Sequence, residues 1–126
     1  MDEILRKMNY KTGPAVILGS PPEFGPTLSV WRRECPVAFE LGEGKPAFLL
    51  VFADSSATFE ARVRPIADAV APGTVFWVAF PKKTSERYDS DLGRDVVWKL
   101  MESLGFAPAR NVAIDGDWSA LRFVRT

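Results

Sequence analysis

Three apolar runs, "AVILG" at 15–19, "AFLLVFA" at 47–53 and "TVFWVAF" at 74–80, show no polar–apolar alternation. A strand with one wet face alternates with a period of two, so unbroken runs of this kind belong to strands covered on both faces. Parallel sheets flanked by helices bury strands in that way. The sequence between the runs supplies the helices. Phe59, Val63, Ile66 and Val70 recur at i, i+4, i+7 and i+11, one helical stripe. Asp54, Ser55 and Ser56 offer N-cap oxygens ahead of it, Pro65 lies off the stripe and predicts a kink, and "APG" ends it.

A second helix is expected over 91–105, with Ser90 or Asp89 as cap, a stripe of Leu92, Val96, Val97, Leu100 and Leu104, and Gly105 as the stop. A short helix over 3–10 carries Ile4, Leu5 and Met8 and stops at Gly13-Pro14. "SPPEFGP" reads as a loop because of its prolines and glycine, and "PVAFEL" as a short edge strand bounded by Pro36 and Gly42. "PARNVAI" and "DWSALRFVR" are closing strands joined at Asp115-Gly116, which predicts a two-residue type I′ hairpin turn. These elements define one α/β domain over 1–126. It is a three-layer Rossmann-like sheet of about five or six strands, mostly parallel, with a C-terminal antiparallel hairpin.

Composition narrows the chemistry. The chain has no histidine, which removes imidazole as base, proton shuttle or metal ligand, and with it the Ser/His and Cys/His triads and the usual zinc sites. Sixteen basic residues balance sixteen acidic ones and are scattered, so nothing favours a nucleic-acid partner. Charged residues, prolines or glycines interrupt each apolar run before membrane-spanning length, so no membrane partner is expected. "MDEILRKMNYKTG" lacks a signal-peptide core, and Cys35 is the only cysteine, which together predict a cytoplasmic location.

The order "AFLLVFAD", helix, "APGTVFWVAFP", helix, "LGFAPARNVAID", "DWSALRFVR" resembles the C-terminal half of a class I methyltransferase-type Rossmann domain, over about residues 47–125. That resemblance implies a last strand running antiparallel between its neighbours. It also implies a Gly-rich turn after the first strand and an acid closing the second, which hold adenosyl-methionine in such enzymes. The first turn here, "LGSPPEFG", departs from that pattern: it has Gly19 but no repeated glycine spacing, and its two prolines lack amide donors. Glu40 is the one candidate for the second-strand acid. The arrangement "PAFLLVFAD…VFWVAFPKK…DLGRDVVW…AIDGDWSALRF" is more closely similar to short uncharacterised bacterial Rossmann-like proteins, which implies a fold and a bacterial origin but no reaction.

The crowded loop after the third run is the main candidate site. In open parallel sheets, ligands bind beyond the carboxyl ends of the strands. Lys82 and Lys83 suit an anionic group, Thr84 and Ser85 suit hydrogen bonding, and Arg94 lies within reach. The competing reading is a solvated, capped loop, with Asp89 and Asp91 at the helix terminus repelling a phosphate and Arg94 paired with Asp91. Asp89-x-Asp91-x-Gly93 fails the calcium-loop pattern, so no metal is expected. Trp98 falls on the polar side of its helix and predicts either packing beneath 27–45 or an oligomer contact. In "DGDWS", Trp118 and Ser119 point to opposite faces, so at most one joins a site. Cys35 has no base beside it and reads as an ordinary thiol.

Two functions fit these residues. One is a non-catalytic bacterial module that binds a small anionic ligand or a protein partner, as a homodimer. The other is a small transferase with an adenosyl-methionine or nucleotide site, with Lys82, Lys83 and Ser85 near the substrate and Asp54 at the strand edge. The sequence itself names no cofactor, and whether the chain is an enzyme is left open between the two.

Overall fold

The computed structural model describes residues 1–126. Helix α1 spans Glu3–Lys7 and strand β1 spans Ala15–Leu18; a 3₁₀ turn at Pro22–Phe24 then runs into α2, Gly25–Arg32. Next come β2 (Val37–Ala38), β3 (Phe48–Phe52), α3 (Ser56–Arg62) and a 3₁₀ segment at Arg64–Ala69. Strand β4 (Val75–Pro81), helix α4 (Arg94–Ser103), β5 (Phe106–Ala113) and β6 (Trp118–Arg125) complete the chain.

The six strands form one sheet in the order β2-β1-β3-β4-β6-β5. Strands β1 to β4 pair in parallel, and β6 runs antiparallel between β4 and β5. The expected mostly parallel, three-layer Rossmann-like sheet with its inserted last strand is the observed one.

The unbroken apolar runs have the expected cause. Alternate residues of one strand serve two cores: Phe48, Leu50 and Phe52 face α1 and α2, while Leu49 and Val51 face α3 and α4. On the first face Trp31 and Trp77 are fully buried, and each indole N–H finds an acceptor, Asp2 Oδ2 at 2.9 Å and the Met8 carbonyl at 2.8 Å. The second core holds Phe59, Val63, Val97 and Met101 against Phe76, Val78, Leu121 and Phe123.

Several local expectations are corrected. "SPPEFGP" is not a loop: its prolines sit in the first turns of the 3₁₀ turn and of α2, where a missing N–H costs nothing and a fixed φ is preorganised. Pro65 does more than kink its helix, because the chain changes from α to 3₁₀ at Arg64. Helix α4 begins at Arg94 rather than 91, and Val96 is 38% exposed, so the buried stripe is Val97 and Met101 with Leu100 and Leu104 partly covered. The hairpin closes at the expected place, but neither Asp115 nor Gly116 has a positive φ, which rules out a type I′ turn. The Asp115 carboxylate instead accepts from the amides of Asp117 and Trp118, both at 2.8 Å.

Candidate functional site

The sheet order reverses at β1 and β3, so the crevice above their carboxyl ends is the ordinary ligand position of such a sheet. In this protein the chain's own side chains close it. Gly19 leaves β1 with φ +69, and a Cβ there would overlap the Arg62 guanidinium. Arg62 Nη1 donates to the Phe52 carbonyl at 2.9 Å and reaches the Gly19 carbonyl at 3.5 Å. Phe24, 2% exposed, packs its ring 5.0 Å from Phe52, which in turn meets Trp118 at 5.1 Å.

The 3₁₀ turn that carries Phe24 is hooked down by Glu23. Its carboxylate accepts from the Tyr88 hydroxyl and from Trp118 Nε1, the latter at 3.2 Å. Burial works to raise the Glu23 pKa, but hydrogen bonds from Tyr88, its own backbone and Trp118 outweigh it and hold the group below the usual carboxylate value. Burial, with the same Glu23 bond, pushes Tyr88 up to about 12. Asp54 is engaged too: its Oδ1 accepts from Thr58 Oγ1 at 2.7 Å, and its carbonyl accepts from Ser90 Oγ. Glu40 lies away from this edge, in a cleft at the amino ends of the strands with Pro14, Val16 and Ala47.

Farther along the same edge, the end of β4 is open. A cleft of about 400 Å³ lies between residues 80–84, the first turn of α4 and the hairpin. Lys82, Lys83, Thr84 and Arg94 line it, with Asn111 of β5 and Ser119 of β6 on the far wall. No ion pair or side-chain hydrogen bond engages Lys82, Lys83 or Arg94. Asp95 is the one carboxylate in the lining.

Asp91 does not guard this helix, as the sequence suggests. Its Oδ1 accepts from the Ser56 amide at 2.8 Å, so it caps α3, and that bond holds its pKa below the ordinary value. Ser90 is likewise turned to Asp54. Gly93 therefore occupies the cap position of α4 without a side-chain cap, and the amides of Arg94, Asp95 and Val96 have no acceptor within the chain. Lys83 lies across this terminus, its Cε 2.7 Å from where a Gly93 Cβ would stand.

Lys82, Lys83, Thr84 and Arg94 are thus brought together. Ser85 is not: its Oγ donates to Asp117 Oδ1 at 2.8 Å and accepts from the amides of Arg87 and Tyr88, which fixes the loop. Arg94 forms no pair with Asp91. Trp98 is not packed beneath 27–45; it is 37% exposed, beside Arg94 and the Pro108–Asn111 stretch of β5. Of the "DGDWS" pair, Trp118 enters the core and Ser119 faces the cleft, as the strand's alternation requires. Asn111 gave no sequence signal beyond its place in the penultimate strand. Cys35 is buried, which pushes its thiol pKa up.

No protein-family model and no curated protein matches the sequence. The structure is similar to mitomycin 7-O-methyltransferase (TM-score 0.58, 14% identity, over 93% of this chain and 51% of that one). It is also similar to magnesium protoporphyrin IX methyltransferase from Synechocystis PCC 6803 (0.52, 12%, over 81% and 57%). A third likeness is to the N-methyltransferase NodS from Bradyrhizobium japonicum (0.55, 10%, over 96% and 92%). The chain spans about half the length of the first two. Its fold is therefore the Rossmann-like fold of class I methyltransferases, and at these identities the likeness is one of fold alone. No helix is long and apolar enough to cross a membrane.

Proposed function

We propose that this chain is a binding module on a methyltransferase-type scaffold, taking a small anionic ligand in the cleft between the end of β4 and the first turn of α4. One observation carries the reading: Lys82, Lys83, Arg94 and an uncapped helix terminus converge on one cleft whose lining holds a single carboxylate, Asp95, and none of the three cations forms an ion pair. A lysine laid across the positive end of a helix is electrostatically unfavourable unless an anion sits between them. The chain as a whole has no net charge, so the excess is local.

A second reading, a small transferase using adenosyl-methionine or a nucleotide, has one observation in its favour. Fold neighbours include a glycopeptide N-methyltransferase complexed with adenosyl-methionine (TM-score 0.54, 10% identity, over 96% of this chain and 84% of that one). That ligand would need the crevice over β1 and β3, and so the displacement of Arg62 and Phe24.

A thermal-shift panel separates the two. It holds phosphate, pyrophosphate, nucleotides, adenosyl-methionine and its demethylated product, tested on wild type and a Lys82→Ala/Lys83→Ala double variant. A ligand at 100 times its dissociation constant stabilises by about 2.7 kcal/mol, a shift of several degrees. The module reading expects an anion-induced shift that the double variant loses. A shift by adenosyl-methionine that the variant retains supports the transferase, and no shift by any anion overturns the module reading.

A further inference from the structure

A second hollow runs on from the anion cleft along α4. Arg94 and Trp98 stand four residues apart, on the same flank of the helix. Both line this hollow of about 190 Å³, with Pro108, Arg110 and Asn111 of β5 opposite and Leu121 at the base. Arg94 and Asn111 line both hollows, so they mark the passage between them.

Trp98 is unlike the other three tryptophans. Trp31, Trp77 and Trp118 are buried, and each donates its indole N–H to an acceptor. Trp98 is 37% exposed and donates to nothing in the chain. An indole left about one-third exposed beside an arginine forfeits part of the burial that the other three obtain, and offers that uncovered face to a ring. The linings of the two hollows are mostly cationic: Lys82, Lys83, Arg94 and Arg110 face one carboxylate, Asp95, while Asp89 and Glu102 lie in the hollows on either side. Across from the helix, Asn111 Oδ1 accepts from Ser119 Oγ at 3.1 Å, which leaves its NH₂ group as a donor.

We infer that the ligand of this site joins a planar aromatic ring to its anionic group, as an aryl or nucleoside phosphate does. The anion lies among Lys82, Lys83 and Arg94, and the ring lies against Trp98 and Pro108. Four residues of helix advance about 6 Å, a spacing that one short linker between phosphate and ring covers. This rests on the anion-binding reading above and gives it a ligand class.

Calorimetric titration with phenyl phosphate and methyl phosphate tests it, because the two share the anion and differ in the ring. Wild type is expected to bind phenyl phosphate about tenfold more tightly, in line with ring stacking on an aromatic side chain. Trp98→Ala should erase that preference while leaving methyl phosphate affinity unchanged, and Trp98→Phe should restore most of it. Equal affinities in wild type would overturn the ring assignment and leave the anion reading standing. Failure of both phosphates to bind would overturn both. A wild-type dimer that Trp98→Ala dissociates, with the ring preference intact, would put Trp98 in a subunit contact and overturn its role here.

Discussion

The carboxyl edge of the sheet has two stretches with opposite fates. Over β1 and β3, Arg62 donates to the strand-end carbonyl of Phe52 and reaches that of Gly19, Phe24 fills the space beside them, and Glu23 is held by Tyr88 and Trp118. Over β4, the amides of Arg94, Asp95 and Val96 in the first turn of α4 have no acceptor within the chain, and Lys82, Lys83 and Arg94 form no ion pair. Both stretches come from the same parallel-sheet geometry, which leaves backbone groups unsatisfied at strand ends and helix starts. The difference lies in which side chains the sequence sends there. A stretch whose polar groups are met internally is structure; one whose donors converge unmet is where a ligand gains most.

The largest expected effect lies on the closed side. Phe24→Ala removes a buried ring and should cost about 3–5 kcal/mol in urea unfolding, while leaving anion binding at the β4 cleft intact. A cost under 1 kcal/mol would mean that Phe24 does not fill the crevice. Glu23→Ala strands the Tyr88 hydroxyl and the buried Trp118 indole and should cost about 1–3 kcal/mol.

The same pair sets two pH limits. The folded pKa of Glu23 is lowered, so its stabilisation is present above the ordinary carboxylate value and is lost as pH falls through the folded one. Tyr88 is raised to about 12, so its contribution is complete below its ordinary value of about 10 and drains away as pH rises from there toward 12. Thermal melts across both ranges should show a shallower alkaline decline in Tyr88→Phe and a shallower acid decline in Glu23→Gln; unchanged slopes would contradict the hook.

The smallest stability effect is expected on the open side. Gly93 is extended, with φ −164, so Gly93→Ala strains no backbone, but an N-cap favours glycine over alanine and the change should cost about 0.5–1 kcal/mol. Its methyl group would push Lys83 off the helix terminus, and affinity for phosphate should fall severalfold. An affinity equal to wild type would show that Lys83 does not act there.

The buried strands were legible because burial on both faces leaves an unmistakable run, as in Phe48–Phe52. The Ser55 cap was legible because it acts locally, accepting from Thr58. Helix α2 was not: Pro22, Gly25 and Pro26 look like loop residues until their places in first turns are known. The start of α4 differs from the sequence reading because Ser90, one of its two expected caps, and Asp91, expected at its terminus, bond to Asp54 and Ser56 instead, partners that only tertiary structure supplies. The site was half visible. Lys82, Lys83, Thr84 and Arg94 were within one chain segment, whereas Asn111 and Ser119 reach the cleft through hairpin pairing, with Ala113 opposite Ser119 and Asn111 opposite Leu121.

The most direct test of the contrast between the two stretches is an amide chemical-shift titration of the labelled protein with pyrophosphate. Perturbations should concentrate on Lys82, Lys83, Thr84 and the first turn Arg94–Val96, with Gly19, Ser20 and Asp54 unmoved. Perturbations confined to Gly19, Ser20 and Asp54, with the α4 terminus silent, would place binding in the crevice that Arg62 and Phe24 close and contradict the assignment of the open cleft as the site.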